Sequence, residues 1–182
     1  MIRSIGLIEL NSIARGIEGT DAMLKAGSVE LIFAKPVCPG KYISMIAGDV
    51  GAVKAALSAG TELGGFNLVN HLLIPHIHPD LIPAINAVVS IEKVEALGVV
   101  EYFDIASAIV GADAAAKAGI VKLIEVRLGM GIAGKSFFTL CGSVSDVKSA
   151  VNAAMLNSAD NGAIVNSCVI PSPSPELFNA IL

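Results

Sequence analysis

Ile5-Gly6-Leu7-Ile8-Glu9 returns as Leu97-Gly98-Val99-Val100-Glu101 about 92 residues later, so the chain is written twice. At the same offset Ile13 matches Ile105, Ala14 matches Ala106, Ile17 matches Ile109, Gly19 matches Gly111 and Asp21 matches Asp113. Lys25-Ala26-Gly27 then matches Lys117-Ala118-Gly119. Further on the register slips by two residues, aligning Gly40-Lys41 with Gly134-Lys135 and Gly48 with Gly142. A second slip aligns Asn70, Ile74-Pro75 and Pro79 with Asn166, Ile170-Pro171 and Pro175. Slips confined to two places indicate one fold copied once, with differences in its loops. The expected domains are residues 1–92 and 93–182.

Each copy has the pattern of an α/β unit, an α+β sandwich. Ser4 to Leu10 reads as a buried strand, and a helix follows with Asn11 or Ser12 as cap and Ile13, Ile17 and Leu24 as its apolar stripe, ending at Gly27. Val29 to Val37 and Lys41 to Ala47 form a hairpin around Cys38-Pro39-Gly40. Asp49 caps a second helix, with Val53, Ala56 and Leu57 as its stripe and Gly60 as its end. The second copy repeats that stripe as Val147, Ala150, Val151 and Ala154. Phe66 to Ile74 reads as a fourth strand and Asp80 to Val88 as a short helix entered through prolines.

Composition narrows the function. A hydrophobic fraction of 54% with 15% charged residues is apolar for a water-exposed protein. No membrane span is expected, because the longest uncharged stretch, Leu63 to Pro79, contains Asn67, Asn70, three histidines and two prolines. No secretory leader is expected either, since Arg3, Glu9 and Arg15 interrupt the apolar start. The net charge of -4 and the lack of a basic cluster argue against nucleic acid. Large contacts between protein subunits remain the better account of the apolar excess. The three cysteines are scattered, and with no export signal they imply a reducing cytoplasm without disulfides.

Gly129-Met130-Gly131-Ile132-Ala133-Gly134-Lys135-Ser136 satisfies the letters of a phosphate-binding loop. Such a loop needs a helix starting at its last glycine, whereas Ser136 to Leu140 aligns with the strand from Lys41. These glycines therefore belong to the second copy's hairpin, and three of them in six residues predict a mobile loop. Cys141 and Cys168 fall in apolar strands and read as inert, buried residues.

The doubled element order, the stretch Gly48-Asp49-Val50-Gly51-Ala52-Val53-Lys54-Ala55-Ala56, the helix stretch Asp21-Ala22-Met23-Leu24-Lys25-Ala26 and the loop Pro36-Val37-Cys38-Pro39-Gly40 resemble the tandem-domain shell proteins of bacterial microcompartments. The doubled pattern combined with that loop is similar to the iron–sulfur subunit of propanediol-utilisation compartments. The resemblance implies two ferredoxin-like shell domains and a homotrimer forming a pseudohexameric tile in the microcompartment shell in the cytoplasm. It also implies that the tile packs laterally with other shell proteins and has no substrate turnover site. Lys25 and Lys117 inherit the tile-edge role. The family's Pro-Arg-Pro-His edge motif is replaced by Pro75-His76-Ile77-His78 and by Pro171-Ser172-Pro173-Ser174, so the arginine is absent from both copies. His76 and His78 fit a solvated edge, with a metal site as the alternative.

By the same resemblance the hairpin loops line a central pore, making Val37, Pro39, Gly40, Met130 and Gly131 its lining and Cys38 a metal ligand. Cys38 from three chains then holds a [4Fe-4S] cluster for electron transfer or for cluster delivery to encapsulated redox enzymes. Two alternatives stand beside this: a cluster-free tile with a small-metabolite pore, and a trimeric regulatory protein binding nucleotide at Gly129 to Ser136.

Overall fold

A computed structural model of the chain describes residues 4–89, 91, 94–158 and 162–181. By its contacts the chain forms two compact units, Met1–Ile77 with Gly129–Gly134, and His78–Leu128 with Lys135–Leu182. The boundary expected between residues 92 and 93 lies outside the described residues.

In the first unit β1 (Ser4–Leu10), α1 (Ile13–Ala26), β2 (Glu30–Val37), β3 (Lys41–Gly48), α2 (Val50–Gly64) and β4 (Leu68–Ile74) follow one another. The strands form an antiparallel sheet in the order β2-β3-β1-β4. This is the β-α-β-β-α-β split of a ferredoxin-like fold. The second unit holds α3 (Leu81–Ile85), β5 (Ala96–Tyr102), α4 (Ile105–Ala118), β6 (Val121–Leu128), β7 (Ser136–Gly142), α5 (Val144–Asn157), β8 (Ile164–Pro171) and α6 (Pro175–Ile181). Its sheet order is β6-β7-β5-β8, the same topology repeated.

All seven residues of β1 are buried, which explains its unbroken apolar run. Ile8, Leu10, Met23, Ile46, Val53, Ala56 and Leu57 make the core beneath the helices. The glycine inside each first strand sets how closely a helix lies on the sheet. A Cβ on Gly6 would stand 2.8 Å from Leu57 and Val53, and one on Gly98 would stand 2.9 Å from Val147 and Val151. The stripe Val147, Ala150, Val151 and Ala154 is buried, as the sequence pattern requires. Ser12 caps α1 by accepting from the Arg15 amide, and Asp104 and Ser143 cap α4 and α5 in the same way.

Several expectations change. Ile13, Ile17 and Leu24 are exposed, while α1 buries Gly16, Gly19, Thr20 and Met23. The helix lays its smallest side chains against the sheet, with Gly16 under Tyr42, and this close approach turns the isoleucines outward. Gly60 does not end α2, because it is an internal contact against Met23, and the helix continues to Gly64 before Gly65 turns at φ +50°. Phe66 stands in a 3-10 turn, 92% exposed, and β4 begins only at Leu68. The short helix contracts to Leu81–Ile85 and packs on β6 and α4, anchored by Asp80 to Lys122 at 3.1 Å. Cys141 is buried as expected, but Cys168 is exposed on β8.

Candidate functional site

The hairpin tip of the first unit is built by the ladder behind it. β2 and β3 pair down to Val37 and Lys41, leaving Cys38, Pro39 and Gly40 as the turn. The Gly40 amide donates to the Val37 carbonyl at 3.0 Å, and Gly40 takes φ +92°, a conformation that glycine adopts without strain. The Cys38–Pro39 peptide is cis. Cys38 is exposed and unbridged.

Lys41 fixes the first residue of β3. Glu9 lies opposite Ile43, so Lys41, two residues back, shares its sheet face. Its Nζ meets the Glu9 carboxylate at 2.8 Å, with the Glu9 side chain fully buried and that of Lys41 only 18% exposed. The second repeat reproduces the pair as Lys135 and Glu101 at 2.6 Å, with side chains 40% and 33% exposed. Sequence comparison aligned Glu9 with Glu101 and Lys41 with Lys135 but did not identify the partnership, which needs the strand register.

Of the residues expected at a pore, Pro39, Gly40, Met130 and Gly131 are exposed, whereas Val37 turns inward and is 5% exposed. A strand, not a helix, follows the Gly129–Gly134 loop, and Lys135 is engaged by Glu101, so the geometry of a phosphate loop is missing. Lys25 projects from α1, 75% exposed, with Asp21 at 2.5 Å. Lys117 pairs with Asp113, a more deeply buried carboxylate that also accepts the His78 amide at 2.7 Å. His78 Nδ1 accepts the Asp80 amide at 3.3 Å, so this histidine is tied into the entry to α3. Burial raises the Cys141 thiol pKa, partly opposed by Lys122.

Among the described residues no three His, Cys, Asp or Glu converge as a metal-binding group. Cys38 nevertheless fits an iron–sulfur cluster in kind, being an exposed thiol on a braced turn. One chain supplies one such thiol there, so ligation requires Cys38 from further copies.

The BMC domain family matches this chain twice, over residues 4–77 and 96–173. The bacterial microcompartment shell protein PduT of Citrobacter freundii is 42% identical over 182 residues, covering 100% of this chain and 99% of that protein. A solved microcompartments protein from Desulfitobacterium hafniense DCB superposes with TM-score 0.89 at 50% identity, over 98% of this chain and 99% of that one. The fused permuted hexameric shell protein MSM0275 of the RMM microcompartment superposes with TM-score 0.64 at 26% identity, over 85% and 80% of the two chains. No helix among the described residues is long and apolar enough to cross a membrane. The doubled ferredoxin-like topology and these full-length likenesses agree: the chain belongs to the bacterial microcompartment shell proteins and carries two BMC domains in tandem.

Proposed function

We propose that this chain is a structural shell tile, not an enzyme, that assembles as a homotrimer and holds a [4Fe-4S] cluster through Cys38 of three copies. One asymmetry between the repeats carries the assembly. Ile105 and Ile109 of α4 are fully buried within the chain, while their counterparts Ile13 and Ile17 of α1 are 44% and 55% exposed. A cyclic trimer gives that bare apolar face a neighbour in every chain, as closed obligate assemblies do. The relatives are themselves shell proteins, which supports lateral packing with other shell proteins, with Lys25 and Lys117 at the tile edge. Propanediol utilisation is the compartment type that the resemblance of the doubled pattern and the Cys38 loop implies.

Cys38 supplies the soft thiolate, and Pro39 together with the Gly40–Val37 hydrogen bond restricts how the turn can move. Behind it the Lys41–Glu9 pair holds the start of β3 in place. Pro39, Gly40, Met130 and Gly131 present the exposed surface around the tips. When bound, the cluster supplies one-electron redox chemistry, suited to electron transfer across the shell or to cluster delivery to redox enzymes inside.

Anaerobic purification of wild type and Cys38→Ser, with iron and sulfide analysis, tests this. About four irons per three wild-type chains and none in the variant are expected. Absence of iron from both after reconstitution overturns the cluster and leaves the same loops as a pore for small metabolites.

A further inference from the structure

The glycine-rich segment that imitates a phosphate loop has a different neighbour in this structure. By its contacts Gly129–Gly134 belongs to the first unit, and Gly134 is buried against the Cys38 turn. A Cβ on Gly134 would stand 2.6 Å from Pro39 Cδ and 2.7 Å from the Cys38 carbonyl oxygen. Gly134 also takes φ +80°, where L side chains are strained. Space and conformation both demand glycine here. Three residues earlier Gly131 has φ +74° but nothing within 4 Å of its Cβ position, so the loop is braced at Gly134 and open around Gly131.

We infer that Gly134 is a positioning residue for Cys38: the second repeat's hairpin loop, which has no cysteine of its own, clamps the peptide that carries the first repeat's thiol. Its functional meaning rests on the role proposed for Cys38 as a ligand, while the clamp itself acts in metal-free protein as well. A ligand shared among chains has to be held within about 0.5 Å of a workable geometry, and a Cβ-free contact on its own backbone does that directly.

The test uses full-length, metal-free protein in a Cys168→Ser background, which leaves Cys38 as the exposed thiol beside buried Cys141. Iodoacetamide alkylation of Cys38 is followed by peptide mass spectrometry in Gly134→Ala, Gly134→Asn and Gly131→Ala. Asparagine tolerates positive φ yet adds the Cβ, whereas Gly131→Ala adds strain without contact. Both Gly134 variants are expected to change the Cys38 rate about threefold or more, and Gly131→Ala to stay within about 1.5-fold. A wild-type rate in Gly134→Asn, or the same rate in Gly131→Ala as in Gly134→Ala, overturns the clamp. If Gly134→Ala does not fold, the comparison of Gly134→Asn with Gly131→Ala decides. After anaerobic reconstitution, reduction potential gives a second readout, expected to shift in Gly134→Asn and not in Gly131→Ala; no shift in either overturns the positioning role. Failure of wild type to take up iron refutes the ligand role of Cys38 and leaves the alkylation comparison valid.

Discussion

Replacing Lys41 by methionine leaves the Glu9 carboxylate, fully buried, without its cation at 2.8 Å. Removing one partner of a buried pair costs about 3–5 kcal/mol, because the remaining charge stays desolvated. Lys41 retains 18% exposure, and Glu9 makes further interactions, so about 2–3 kcal/mol is the expected loss. For a chain of this length that corresponds to a fall of about 5–10 °C in melting temperature. The second repeat supplies the control: Lys135→Met breaks the equivalent pair where the side chains are 40% and 33% exposed, and is expected to cost about 1 kcal/mol or less. Both variants are melted at one protein concentration, because assembly contributes to apparent stability. Adding Glu9→Gln to Lys41→Met should recover most of the loss, since the orphaned charge is then gone. Equal losses at Lys41 and Lys135, or no recovery in the double variant, would refute burial of the Glu9 charge as the cause.

Burial lifts the Tyr102 phenol to about 12, with Asp104 reinforcing and the Ser158 side chain opposing, and the hydroxyl lacks a well-formed hydrogen bond. The native state therefore keeps this proton where the unfolded chain releases it, and stability should fall between about pH 10 and 12 by up to about 1.4 kcal/mol per pH unit. Tyr102→Phe should flatten that decline in pH-dependent melting without loss of stability at pH 7, and an unchanged slope would contradict it. Ile17→Glu places a charge on the bare face of α1 and should weaken self-association at least tenfold by sedimentation while the chain stays folded; unchanged association would show that this face is not an interface. Alkylation of metal-free protein at pH 8 should label exposed Cys168 about tenfold or more faster than buried Cys141, and equal rates would contradict their placement.

The repeat made the fold legible because two copies of one pattern constrain each other: β1 and the cap at Ser12 stand where the letters put them, while Asp49 precedes α2 as expected but makes no side-chain capping hydrogen bond. Periodicity identified α1 but not its buried face, since Gly16 and Gly19 carry no hydrophobic signal and yet decide how close the helix lies to the sheet. Gly60 misled for a related reason, as a glycine that accommodates Met23 has the same letter as one that stops a helix. Exposure of Cys168 was readable, because Asn166 lies two residues earlier on the same outward face of β8. The Glu9–Lys41 partnership and the contact of Gly134 with Cys38 required register and tertiary approach, which no local spacing encodes.

Native mass spectrometry of anaerobically prepared protein tests the central claim most directly, because it weighs chains and bound inorganic atoms together. A trimer carrying one [4Fe-4S] unit, with Cys38→Ser giving the same trimer lacking that mass, is the expected result. A monomer, or a wild-type trimer that stays free of iron and sulfide after reconstitution, would contradict it.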